Sequence, residues 1–145
     1  MDWKKAAEAD LRSYEDRLKA LENIKTRIAA QKLNLEGLRA ASADKEPIKG
    51  GTSRHDDRMI NSIVEIERLK RNYSVTKGLV QLIEKGLSGL SSEERDVLDC
   101  FYINKKYRSI ETLKEKLGYE KSQIYRIKDR ALYKFTISCY GIVDL

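Results

Sequence analysis

One proline, two cysteines and one histidine stand among 145 residues, and each scarcity closes off a class of protein. With proline confined to Pro47, nothing elsewhere removes a backbone donor or breaks a helix by ring clash. Cys100 and Cys139 are far apart and belong to no CxxC pair. They cannot form a disulfide framework or a thiolate metal knot, and both are expected as small core residues in a reducing cytoplasm. The one histidine, His55, falls in a segment expected to be a solvent-exposed loop, without cysteine or carboxylate at ligand spacing, so no metal site is expected.

No Ser-His-Asp set is apparent, and Gly50-Gly51 lacks the flanking strand and lysine spacing of a phosphate-binding loop. Catalytic residues, cofactors and enzyme activity are therefore not expected. No apolar run approaches the roughly 20 residues of a membrane-spanning helix. The start Met1-Asp2-Trp3-Lys4-Lys5 carries no apolar targeting segment. A cytoplasmic protein without a membrane partner is the expectation.

What the chain has in quantity is charge. Charged residues reach 36% against 41% hydrophobic, a balance that favours long solvated helices over a sheet-based core, and predicts an all-α fold. The formal net charge is +6 and the isoelectric point about 9.2, which suits a polyanion. Placement says more than the total: Glu93, Glu94, Asp96 and Asp99 gather ahead of a basic stretch holding Lys105, Lys106, Arg108, Lys121, Arg126, Lys128, Arg130 and Lys134.

From Trp3 to about Leu38 the apolar residues Trp3, Ala7, Leu11, Tyr14, Leu18, Leu21, Ile24, Ile28, Leu35 and Leu38 step mostly by three and four. This is one amphipathic helix. A flexible loop is expected near 40–55, around Pro47 and Gly50-Gly51. A second helix is expected from about Asp56 to Lys85, with Met59, Ile63, Ile66, Leu69, Tyr73, Val80 and Ile83 as its stripe. The pair predicts a long antiparallel hairpin, coiled-coil-like, over residues 1–87. Spacing leaves open whether each stripe is satisfied within the hairpin or against a second chain; a homo-oligomer, with a dimer favoured, is the expected partner state.

The stretch Gly86 to Gly89 is expected to break the second helix. Ser91-Ser92-Glu93-Glu94 then reads as a capping box opening a third helix, with Val97, Leu98, Phe101 and Tyr102 inward and an end near Asn104. Ser109 is the expected N-cap of a fourth helix carrying Ile110, Leu113 and Leu117, and Gly118 suits its left-handed end. A fifth helix begins near Lys121. Ile124, Ile127, Ala131 and Phe135 share its inner side, with Leu132 at the margin. Residues 88–145 thus predict a three-helix, helix-turn-helix domain.

The outer side of the fifth helix centres on Ser122, Arg126, Asp129 and Tyr133, flanked by Gln123, Tyr125 and Arg130. Arginine and glutamine bond bidentately to base edges, and the first turns of a recognition helix lie deepest in the major groove. Ser122, Gln123, Tyr125 and Arg126 are the candidate base readers of double-stranded DNA. Lys105, Lys106, Arg108, Ser109, Lys121 and Arg130 are the candidate phosphate contacts, several of them beside the free amides opening the fourth helix.

The stretch from Ser91 to Leu98, with its Glu-Arg pair ahead of Val-Leu, resembles the opening helix of the promoter-reading C-terminal domain of bacterial sigma factors. In LKEKLGYEKSQIYRIKDRALYKF, the residues Leu117, Gly118, Ile124, Ile127, Arg130, Ala131, Leu132 and Lys134 match that domain's later pattern in register. Joined to a long-helical N-terminal half, this is similar to the phage late-gene transcription regulators of the ArpU and RinA type. The resemblance implies a phage- or prophage-encoded regulator activating late or structural gene promoters in a bacterial host, and it leaves direct contact with host RNA polymerase open. Lys121, Ser122, Gln123, Tyr125 and Arg126 depart from the sigma pattern, so the fold carries over and the DNA sequence read does not.

Two other classes compete. A small terminase subunit for DNA packaging also joins a helix-turn-helix to an oligomerising helical segment, usually in the opposite order. A helical adaptor that binds no DNA would show no salt-dependent DNA affinity.

Overall fold

In a computed structural model, residues 2–43, 54–105 and 110–141 are described. They are all-α: α1 spans Trp3–Ala43, α2 Arg54–Ser88, α3 Ser92–Leu98, α4 Ile110–Leu117 and α5 Lys121–Tyr140. A π-helical turn, Asp99–Ile103, continues α3, its wider winding closed by Asn104 N–H donating to Asp99 C=O at 2.7 Å. Among the described residues there is no strand. Of the loop expected near 40–55, residues 44–53 lie outside the described residues, as does the Ser109 cap. His55 belongs to the first turn of α2 and is half-buried, a correction to its expected place in an exposed loop.

The capping box forms as its residue types dictate. Glu94 N–H donates to Ser91 Oγ at 3.2 Å and Ser91 N–H donates to Glu94 Oε1 at 3.1 Å, so two free amides of the first turn of α3 are satisfied reciprocally. At the far end of α4, Gly118 takes φ 71° and its N–H donates to Lys114 C=O. That left-handed residue stops one helix and turns the chain into the next.

The chain forms two compact units. One comprises residues 1–18 together with 78–145, the other residues 19–77. In the first, a core of Ala7, Leu11, Ile83, Leu87, Leu98, Tyr102, Ala131, Leu132, Phe135 and Cys139 adjoins Trp3 and Tyr14. The opening turns of α1 and the closing turns of α2 thus share a core with α5. A second cluster, Val97, Cys100, Leu113, Ile124 and Ile127, joins α3, α4 and α5. The units therefore part elsewhere than at the division expected between residues 87 and 88. The reason is α5, twenty residues long, which is apolar on two sides: Ile124 and Ile127 serve one cluster, Leu132, Phe135 and Cys139 the other.

Gly86 explains why α2 does not stop where a break is expected. The helix runs through it, and a Cβ at that position would stand 2.6 and 2.7 Å from ring carbons of Phe135 and press on Cys139 Sγ. The glycine is there for close approach of α2 to α5. Cys139 donates from Sγ to Leu82 C=O at 3.2 Å. Burial first, then the nearby Asp10 charge, pushes its thiol up to about 11, so it stays un-ionised and unreactive at neutral pH.

In the second unit the two helical segments run antiparallel: Arg27 reaches Glu65 at 3.6 Å, while Gln31, further along α1, meets Ser62, earlier on α2. Leu35, Ile66 and Leu69 are buried. So is Ser62, whose hydroxyl donates to Gln31 Oε1 at 3.2 Å. Ile63, expected on the seam, is exposed instead.

Candidate nucleic-acid interface

The candidate surface is the solvent side of α5 with the end of the π-helical turn before α4. Its geometry follows from what anchors α5. Ile124, Ile127, Ala131, Leu132 and Phe135 are each at most 1% exposed, which fixes the helix about its axis and leaves the remaining positions outward.

Ser122 and Arg126 are exposed, and Gln123 is half-buried beside them. Lys121 is exposed at the first position of the helix. Tyr125 is placed differently from an extended base reader. Its ring packs on Phe101, with centroids 5.5 Å apart, and Lys128 Nζ stands 4.9 Å over it and 5.3 Å over Phe101. Lys121 Nζ lies over the Tyr125 ring as well, 5.9 Å from its centroid. Two ammonium groups are thereby held over aromatic faces, an arrangement in which ring quadrupole and charge attract.

Behind this ring pair lies an open cleft of about 400 Å³ lined by Arg12, Lys105, Lys128, Glu8, Phe101 and Tyr102, among others. Arg12 stacks over Tyr102 at 5.4 Å, and Tyr102 Oη donates to Glu8 at 3.3 Å. Burial first, then the Glu8 charge, raises the Tyr102 phenol above its ordinary value. Asp129, on the outer side of α5, adds its charge to the same effect. Lys105 is exposed at the cleft; Lys106, Arg108 and Ser109 lie outside the described residues.

Arg130 has an intramolecular partner. Its Nε is 3.6 Å from Glu94 Oε2, and Lys134 Nζ is 3.1 Å from Glu94 Oε1. Glu94 is only 2% exposed. Burial alone would push its carboxyl up, but the Ser91 amide, Lys134 and the Ser91 hydroxyl outweigh it and hold Glu94 below the ordinary carboxylate range. The two cations thus tie α5 to the start of α3, while much of each side chain remains in solvent.

Sequence spacing puts Lys121, Ser122, Gln123 and Arg126 in the first turns of one helix, α5. It misses Lys128, held back over the two rings, and Arg12, which comes from α1. Tyr125, three residues before it, was the local signal for the first, while Phe101 lies on another element; the second has none, since only the shared core brings α1 alongside. Comparison of the chain with protein-family models, curated proteins and solved structures finds no significant match.

Proposed function

We propose that this chain is a sequence-specific DNA-binding transcriptional regulator, phage or prophage encoded, that acts at late or structural gene promoters in the cytoplasm of its bacterial host. The observation that carries the reading is the start of α5: Lys121, Ser122 and Arg126 stand in solvent on a helix whose opposite side is buried, directly after the Gly118 turn. Such a helix can enter a major groove without disturbing the core beneath it.

In this reading α4 and α5 form the helix-turn-helix, and Arg126 and Gln123 supply bidentate donors and acceptors to base edges, with Ser122 beside them. Lys121, Lys105 and the exposed part of Arg130 grip phosphates and set the register. Tyr125 holds Lys121 and Lys128 in place and takes no base contact of its own. The long helices bring two copies together, and a polymerase contact would be made from the same assembly.

Binding-site selection on random duplexes supplies the target, and affinities are then compared at one salt concentration. Arg126→Ala and Gln123→Ala should each weaken specific binding by about tenfold or more and relax preference at single base pairs. Lys121→Ala should weaken all sequences evenly and lower the salt slope by about one. Unchanged affinity in both base-contact variants sinks the reading of this face, and no salt-dependent binding at all sinks the function.

A further inference from the structure

The residues 60–75 of α2 carry two stripes. One, with Ser62, Ile66 and Leu69, is buried, and its Ser62 bonds to Gln31 of α1. At about 100° per residue, Ile60, Val64, Glu67, Arg71 and Val75 share the opposite arc. Ile60 is 53%, Val64 56% and Val75 65% exposed, and Glu67 and Arg71 between them are exposed as well. Three aliphatic side chains aligned in solvent on one helix face are not the scattered singles of an ordinary surface.

The charge pattern on this stripe is self-complementary. An isologous two-fold places the same stripe of two copies face to face. If the helices run antiparallel and cross at the level of Leu69, Glu67 of each copy faces Arg71 of the other. That gives two opposite-charge pairs at the centre, with Val64 of one copy towards Val75 of the other on either side. A parallel pairing instead sets Glu67 against Glu67 and Arg71 against Arg71, which repel. Glu67 and Arg71 have no hydrogen bond or ion pair with other described residues, so both are available.

Energetics point the same way. Among its described residues the unit of residues 19–77 buries only Leu35, Ser62, Ile66 and Leu69, and long helices draw their stability from packing along an apolar face. A second α2 laid on the outer stripe adds that packing, and polar residues within such a seam fix register and orientation.

We propose that the outer face of α2 is an antiparallel homodimer interface, with a second copy of this chain as its occupant and the reciprocal Glu67–Arg71 pairs as its register lock. This rests on the reading that the long helices join two copies, and it names the face and the direction in which they do so.

Sedimentation of the full chain over a concentration series tests it. The wild type should sediment at twice the 16.8 kDa chain mass. Glu67→Arg and Arg71→Glu should each raise the dimer dissociation constant by about a hundredfold, because each turns both pairs into like charges. The double exchange Glu67→Arg with Arg71→Glu should restore the wild-type constant to within about tenfold, since the pairs re-form with their signs swapped. Helicity by circular dichroism should stay unchanged throughout. If a single reversal loses helicity, Ile60→Ser replaces it and should likewise raise the dissociation constant. A monomeric wild type overturns both this face and the pairing reading beneath it. A wild-type dimer indifferent to the single reversals, or not restored by the exchange, overturns this face alone.

Discussion

Gly86 and Ser62 show how single residues carry information opposite to their usual meaning. Glycine in a helix ordinarily costs about 1 kcal/mol relative to alanine, so Gly37, with nothing within 4 Å of an added Cβ, is a position where alanine should stabilise. At Gly86 the same methyl meets Phe135 and Cys139, and overpacking a close contact costs about 1–3 kcal/mol. Gly86→Ala should therefore lower the thermal midpoint and Gly37→Ala should raise it, read from parallel melting curves. If Gly86→Ala melted at or above the wild type, the close approach of α2 to α5 would be wrong. Ser62 is the polar counterpart: buried on a seam where the pattern expects Ile63, it is accommodated because Gln31 accepts its proton.

At the scale of elements, the start of α3 is tied to α5 through one carboxylate. Glu94 completes the capping box and receives Lys134, and its carboxyl is held below the ordinary range. A group depressed in the folded state stabilises it fully above the unfolded value, about 4.3 for glutamate. That stabilisation is lost as the pH falls below this value and through the lower folded one. Glu94→Gln should cost about 1–2 kcal/mol at neutral pH, and the gap to wild type should narrow in acid. Thermal midpoints measured from pH 7 down to pH 3 check this; a gap that stays constant would mean the charge of Glu94 contributes nothing. Two boundaries nearby were legible without structure: the Ser91 cap and the Gly118 turn fall where capping and turn chemistry put them, because those preferences act within one or two turns of the chain.

At the scale of the molecule, the unit containing α5 is closed by both flanks of the long helices. A fragment of residues 88–145 lacks Ala7, Leu11, Ile83 and Leu87, and so uncovers Leu132, Phe135 and Cys139. At about 1.5–3 kcal/mol per large buried side chain, the loss is on the order of the whole stability of a small domain. The fragment should melt without a cooperative transition, whereas the full chain should show one; a sharp transition in the fragment would show that the three short helices suffice. Much of the outer surface was readable beforehand. Lys121, Ser122 and Arg126 face out because Ile124, Ile127 and Ala131 at helical spacing must face in. Tyr125 was not, since its partner Phe101 lies on another element.

The amino-acid order by itself determined the all-α class, the start of α3, the Gly118 turn and the inner and outer sides of α5, because each depends on interactions within a few residues. Only the tertiary structure decided that Gly86 is a contact and not a break, that Arg130 and Lys134 share Glu94, and that the N-terminal turns of α1 complete the core around Phe135. These depend on which surfaces meet across dozens of residues of chain, and local periodicity, which says that a side is apolar, does not say against what it packs.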